Sequence, residues 1–485
     1  MASELSAQLY VDGNWCSSSG DSEIISRNPA APNEEVATFP AATVTDTEDA
    51  ISASVAAQDE WAAVSSHERG SYLRDAVRII EDEREFLSRL IVDEAGKTIG
   101  GSQGEIQRTI DLLEYYAQVA RDYGGTAPPS ATDGTVLFTK REPLGTAGII
   151  TPWNFPIAIP TWKIVPALVS GNTVVFKPAS LSPTIASRLV DVFDRVGLPD
   201  GVLNFVPGSG STVGDAIATS QNIDVLSFTG STAVGEAVKR AAGETGARVQ
   251  CEMGGKNPII VDESCDLDLA VDLTISGAYS LAGQACTAAS RAIVLEGAYD
   301  EYVAALKQRV EHLIVGEPGD ETTDMGPKAS AGGLQEDLDY IEAGEGEGAT
   351  LLAGGSALDR EGHFIEPTVF VDVDSEMKIA QEEIFGPILS VLSVSSFDEA
   401  VRVANDVQYG LTAAICTDRL HHAMSFIDDI ETGVVKVNQK PGGVEYQMPF
   451  GGRKRSSTET FKEQGREALE FFTHQKAIYL TDGHV

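Results

Sequence analysis

Cys286 stands in the run Gly283-Gln284-Ala285-Cys286-Thr287, between two acidic segments. Upstream lies Glu252-Met253-Gly254-Gly255-Lys256; downstream lies Glu382-Glu383-Ile384-Phe385-Gly386-Pro387. Thr151-Pro152-Trp153-Asn154-Phe155-Pro156 precedes all three. A thiol, a carboxylate just before a glycine pair, and a second carboxylate pair beside an aromatic are parts for covalent oxidation chemistry. The thiolate can bond to a carbonyl carbon, and a carboxylate can move the protons. A lone cysteine reads as a small buried apolar residue; these segments in this order argue for more.

The elements that must position these residues follow from apolar spacing. Residues 1–45 read as short strands and turns, with Asp12-Gly13 as one turn. Leu73, Ala76, Val77, Ile80, Leu87, Leu90 and Ile91 recur at helical spacing, as do Ile106, Ile110, Leu113, Ala117 and Ala120. These predict two amphipathic helices, the second stopped by Gly124-Gly125. Thr135–Arg141 reads as an extended arm. From about residue 144 strands and helices alternate. Val174-Val175-Phe176 is a strand buried on both faces. A helix follows with Ser182 as its N-cap and Pro183 at its first position. Strands at Leu203–Val206 and Val225–Phe228 complete a βαβαβ pattern, so a doubly wound parallel sheet is expected. A second α/β unit begins near Gly255 with Pro258–Val261. Helices at 268–283 and 300–312 and strands near 369 and 388–394 follow, and Val434–Val437 is the last strand. Lys476–Leu480 is a terminal strand.

Composition excludes several classes. The 485 residues hold 73 acidic against 35 basic side chains, a net charge of −38. Such a field repels nucleic acid and anionic membranes. It also strains the compact state unless salt screens it, which points to a salt-adapted host such as a halophilic archaeon. No apolar run is long enough to span a bilayer. Met1–Ser6 lacks the features of a secretory signal, so a cytoplasmic location is expected. The five cysteines are odd in number and form no Cys-x-x-Cys pair, so neither a disulfide framework nor a zinc site is indicated. No metal is expected.

Taken together, Thr151–Pro156, Lys177–Ser180, Phe228–Ser231, Glu252–Lys256, Gly283–Cys286 and Glu382–Pro387 resemble the aldehyde dehydrogenase superfamily. The likeness runs over about residues 9–475. It implies an α/β fold with a Rossmann-type cofactor domain (1–123 and 143–253), an α/β catalytic domain (254–450), and an oligomerisation arm with the C-terminal tail (124–142 and 451–485). By the same likeness Cys286 is the nucleophile, Glu252 the general base, and Asn154 the oxyanion donor together with the Cys286 N–H. The cofactor contacts implied are Trp153, Lys177, Ser180, Gly230, Ser231, Met253, Glu383 and Phe385. Glu383 falls to the nicotinamide ribose, Phe385 to the ring, and Gly230-Ser231 to the pyrophosphate at a helix N-terminus. Family members that prefer NAD usually carry Glu where this chain has Ser180. With that carboxylate absent, a 2′-phosphate meets Lys177 and a hydroxyl, so NADP is expected as preferred cofactor, or dual use with NAD. Alternatively, Ser180 merely starts the next helix.

Pro143–Ser180, Cys251–Val261 and Gly443–Gly452 are most similar to the branch that oxidises 2,5-dioxopentanoate (α-ketoglutaric semialdehyde) to 2-oxoglutarate in sugar-acid breakdown. Relatives acting on succinate semialdehyde commonly place Arg at the positions of Trp162 and Ser280; this chain has neither. The residue that would grip a substrate carboxylate is thus left open, with Arg291 and Arg453 near the motifs in sequence. Succinate semialdehyde, glycolaldehyde or betaine aldehyde remain alternatives, as does a catalytically silent relative. A small aldehyde is the expected partner. The arm implies a homodimer or homotetramer, because exposed strand edges seek pairing.

Overall fold

The computed structural model describes residues 7–481; the reading of Met1–Ser6 and the last four residues of the tail lie outside them. Two seven-stranded sheets dominate. The first runs Arg248–Glu252, Val225–Thr229, Thr146–Ile150, Thr173–Lys177 and Leu203–Phe205 side by side in parallel. Leu9–Val11 adds to its edge antiparallel and pairs with Asn14–Cys16. Asp12 (φ +50°) and Gly13 (φ +72°) make the two-residue turn between those strands. Every residue of Thr146–Ile150 and Thr173–Lys177 is buried, as for strands covered by helices on both faces.

The second sheet orders Thr350–Ala353, Thr368–Val371, Ile388–Val394, Ala289–Leu295, Asn257–Val261, Thr412–Cys416 and Val434–Val437. All its pairings are parallel except the first. Glu252 ends an edge strand of the first sheet, and Asn257 opens an interior strand of the second. The short link Met253–Lys256 therefore crosses from one sheet to the other, and the chemistry-bearing residues gather around that crossing.

Three helical expectations are corrected. The N-terminal region holds four helices rather than two: Val44–Ala63, Ser66–Asp82, Arg84–Ala95 and Ile99–Val119. The run from Leu73 to Ile91 is one apolar stripe in sequence, but Glu83 leaves helical geometry (φ −102°, ψ 9°) and splits it. Val44–Ala63 hides because its buried face uses small residues such as Ala50 and Ser54 beside Ile51 and Trp61. Thr43 and Asp46 close its start as a capping box. The helix expected to stop at Gly124-Gly125 already ends at Val119. Ser182 does stand at the N-cap with Pro183 behind it, but its hydroxyl makes no cap bond. The buried Glu94 does that work, accepting from the N–H groups of Thr184 and Ile185 at 2.8 Å each.

Thr135–Pro143 and Thr473–Thr481 pair with each other over nine residues as a two-stranded antiparallel ribbon. The arm thus has a partner strand within its own chain; Thr126 covers the outer edge of Thr135–Pro143 only at Thr139, no further strand pairs with the ribbon among the described residues, and Tyr479 is 76% exposed. No helix of the described residues is long and apolar enough to cross a membrane.

Candidate active site

Cys286 follows a backbone segment of unusual shape. Leu281 (φ +58°), Ala282 (φ +50°) and Gly283 (φ +70°) are successive left-handed residues, a conformation that costs energy for the first two. Gly283 is required by contact as well as by φ: a Cβ there would stand 2.1 Å from the Gly386 carbonyl oxygen. The nucleophile turn therefore lies directly on the Glu383–Pro387 loop. Asn257 fixes the far side, its side-chain amide donating to the Cys286 carbonyl (2.7 Å) and the Ala288 carbonyl (2.9 Å). Its oxygen accepts from Thr412 N (3.1 Å).

Asn154 is brought to the same turn. Its Nδ2 donates to Gln284 O at 2.9 Å, and its Oδ1 is buried without a partner. Gln284 in turn accepts from Ala329 N (2.9 Å). Neither Asn257 nor Gln284 was singled out from the sequence. Asn257 carries the signal of a polar residue opening an otherwise apolar strand, and Gln284 lies two residues before Cys286 in its motif.

A cavity of about 680 Å³ opens beside this turn, of the size that holds small-molecule cofactors. Asn154 and Cys286 line it, and so do Trp153, Met253, Glu383 and Phe385. Trp153 and Phe385 meet edge-to-face at 5.7 Å between ring centres. Gly230 and Ser231 line the cavity at the start of the helix Thr232–Thr245. Ser231 makes no side-chain cap bond, which leaves first-turn N–H groups for an anion. The Thr229 hydroxyl, also on the wall, is buried and unpartnered. These open donors fit a dinucleotide. Lys177 and Ser180 lie outside this cavity. The buried Lys177 amine donates to Pro178 O (2.8 Å), with burial lowering its pKa to about 8. The exposed Ser180 donates to Gly208 O (3.2 Å).

The opposite wall comes from the helix Ala331–Glu347, which the sequence reading did not connect with the site. Beneath it, Lys328 donates to the Phe385 carbonyl (2.6 Å) and pairs with the buried Asp337 (2.9 Å). Segment 327–329 thereby holds both the Phe385 loop and, through Gln284, the nucleophile turn.

Electrostatics set the resting protonation. Burial pushes the Cys286 thiol up to about 12, helped by the carboxylates of Glu383, Glu252 and Glu463. The residue keeps some exposed surface because it opens on the cavity. Burial raises Glu383 to about 7 against the opposing Gly255 N–H (2.9 Å) and Lys256. Gly254 packs against this side chain: a Cβ there would fall 1.8 Å from a Glu383 oxygen, so the carboxylate would have to move.

Glu252 is buried and raised to about 8, first by burial and then by Glu463. Its carboxylate does not line the cavity. One oxygen accepts from Ser457 Oγ (2.7 Å) and the other from Gly452 N (3.0 Å). Those donors, some two hundred residues downstream, hold it toward the 450–463 segment. Arg291 and Arg453 do not serve the site: Arg291 is buried on the carbonyls of Lys256, Val403 and Ala404, and Arg453 is exposed. Among the described residues no cluster of His, Cys, Asp or Glu could hold a metal.

Comparisons with known proteins agree with this geometry. Residues 15–478 match the aldehyde dehydrogenase family model. An alpha-ketoglutarate semialdehyde dehydrogenase of Haloferax volcanii is 48% identical over 97% of this chain and 98% of its own. A 2,5-dioxopentanoate dehydrogenase of Saccharolobus solfataricus is 43% identical over 96% and 97%. A betaine aldehyde dehydrogenase of Staphylococcus aureus, solved with NAD+, superposes with a TM-score of 0.96 at 34% identity, covering 99% of this chain and 96% of that one. With its thiol, amide and dinucleotide-sized cavity gathered at the crossing between two sheets, the chain belongs to the aldehyde dehydrogenase family and is an NAD(P)-dependent aldehyde dehydrogenase.

Proposed function

We propose that this enzyme oxidises 2,5-dioxopentanoate to 2-oxoglutarate, with NADP as its preferred cofactor. The substrate rests on likeness to the Haloferax and Saccharolobus enzymes over nearly the whole chain. The single observation behind the chemistry is that Cys286 and Asn154 share one cavity with Trp153, Glu383 and Phe385.

The roles follow from position. The Cys286 thiol gives its proton to ionised Glu252 by way of water, and its sulfur bonds to the aldehyde carbon. The second Asn154 amide hydrogen and the Cys286 N–H face the oxygen as charge develops there. The bound oxidised nicotinamide supplies the hydride acceptor. Trp153 and Phe385 wall its ring and exclude water, Met253 packs beside it, Glu383 takes the ribose hydroxyls, and Gly230-Ser231 receive the pyrophosphate. Glu252 must then turn from Ser457 and Gly452 toward the sulfur-bound acyl carbon and take a proton from water as the thiolate leaves. That role needs its ionised form, which predominates above pH about 8. Lys177 and Ser180 form the adenosine end, where no carboxylate repels a 2′-phosphate.

The same reading assigns residues 1–123 and 143–253 to the cofactor domain, 254–450 to the catalytic domain, and 124–142 with 451–485 to the arm and tail. It makes the protein a cytoplasmic homodimer or homotetramer of a salt-adapted cell. A substrate panel with NADP and NAD in high salt tests it. The dioxo acid with NADP should give the highest kcat/KM. Higher values for succinate semialdehyde, glycolaldehyde or betaine aldehyde would reassign the substrate, and a preference for NAD would remove the role given to Ser180.

A further inference from the structure

A carboxylate-bearing aldehyde needs a cation at the far end from its reacting carbon, and neither Arg291 nor Arg453 supplies one. Arg69 and Arg248 are sheltered too, but both are engaged with backbone carbonyls. Arg108 differs. It is half-buried, its guanidinium lies over the Tyr446 ring at 5.5 Å, and its hydrogen bond goes to the neutral Gln464 Oε1 at 2.5 Å. Glu445 and Asp111 influence it through space, yet neither is among the ion pairs of the described residues. Gln464 is wholly buried and its Nε2 has no acceptor. A sheltered cation with no carboxylate in contact, next to a buried amide donor without an acceptor, offers two donors to an anion.

Contacts between neighbouring segments tie this pair to the nucleophile turn. Glu105, one turn before Arg108, accepts from Ile157 N and Ala158 N (3.1 Å each) and so holds the start of the helix that follows Asn154. One turn into that helix, Trp162 packs on Phe450 at 5.9 Å. The loop carrying Tyr446 and Phe450 begins at Gly442, where a Cβ would stand 3.3 Å from the Thr287 hydroxyl, next door to Cys286. Contacts thus run from the turn after Cys286 through the 442–450 loop to Arg108, and Arg108, Tyr446 and Gln464 are not among the residues lining the dinucleotide cavity.

We propose that Arg108 and Gln464 hold the terminal carboxylate of the substrate, with Tyr446 as the platform under the guanidinium. This rests on the reading above that the substrate is an aldehyde acid. The test compares kcat/KM for 2,5-dioxopentanoate, succinate semialdehyde and neutral pentanal, in high salt with saturating cofactor. Arg108→Met should lower kcat/KM for both acids by about 30- to 100-fold, mainly through KM, and leave pentanal within about threefold. Arg108→Lys should recover part of the loss, since it restores charge without the planar fork. If the methionine variant does not fold, Arg108→Gln removes the charge while keeping a polar side chain, and is read the same way. Unchanged discrimination between acids and pentanal in a folded variant overturns the anchor. A wild type that favours succinate semialdehyde over the dioxo acid overturns the substrate reading alone, because the carboxylate is common to both. A wild type indifferent to the carboxylate overturns the anchor as well.

Discussion

The two sides of the reacting sulfur are built differently. On one side the nucleophile turn and the Glu383–Pro387 loop are set by backbone: three left-handed residues before Cys286, a glycine pressed on the Gly386 carbonyl, and a second glycine that makes way for Glu383. On the other side Glu252 is held by two hydrogen bonds to its own carboxylate, from Ser457 and Gly452. Backbone geometry of the first kind cannot relax without moving the loop, whereas a carboxylate can change partners by rotating its side chain. The nucleophile is therefore preset, and the acid is parked in a state it can leave. That division suits a reaction in which bond formation to sulfur comes first and water activation later.

Removing the preset sulfur gives the largest expected effect. Cys286→Ala should cost about 10⁴-fold or more in aldehyde-dependent cofactor reduction, because no other cysteine lines the cavity. Retained activity would put the nucleophile elsewhere. Next, Asn154→Ala should lower kcat by about 10²- to 10³-fold, the usual cost of one oxyanion donor. Measured thermal unfolding should change little beside that rate loss; a loss of fold instead would make Asn154 a support for Gln284 alone.

The backbone side can be probed by Gly283→Ala, which puts a methyl group against a carbonyl in a left-handed conformation. It should lower the melting temperature and the kcat together, with the destabilisation about 1–3 kcal/mol. The side-chain side responds to pH. Glu252, raised to about 8, must be ionised to act, so kcat limited by acyl-enzyme hydrolysis should climb with pH and level off above about 8. The Ser457 hydrogen bond favours the ionised form. Ser457→Ala should therefore raise the Glu252 pKa further and move the climbing limb to higher pH, the smallest effect of the set. A shift to lower pH, or an unchanged limb, would detach that limb from Glu252.

The thiol, the amide and the acid were legible because each sits in a short motif whose residues are adjacent in sequence. What surrounds them was not, because it comes from far away in the chain. Glu252 was readable as an acid, but its partners at 452 and 457 belong to a segment that only the fold brings near. Glu94 caps a helix some ninety residues on, which no local capping rule detects. The same distance hid Arg108. Nearness in sequence suggested Arg291 and Arg453, yet the guanidinium with a free face stands on a helix read only as an amphipathic stripe. The sheets were clearer, since strands buried on both faces announce themselves as unbroken apolar runs such as Val174-Val175-Phe176. The helix Val44–Ala63 was lost because alanine and serine carry little periodic signal.

The tie at residues 327–329 has one more effect. Lys328 grips the loop bearing Phe385, and Ala329 grips Gln284 two residues before the sulfur. Both grips descend from the same three residues. The aromatic wall and the turn bearing the thiol therefore share one anchor. A displacement of this segment would act on the aromatic wall and the sulfur at once rather than on either alone.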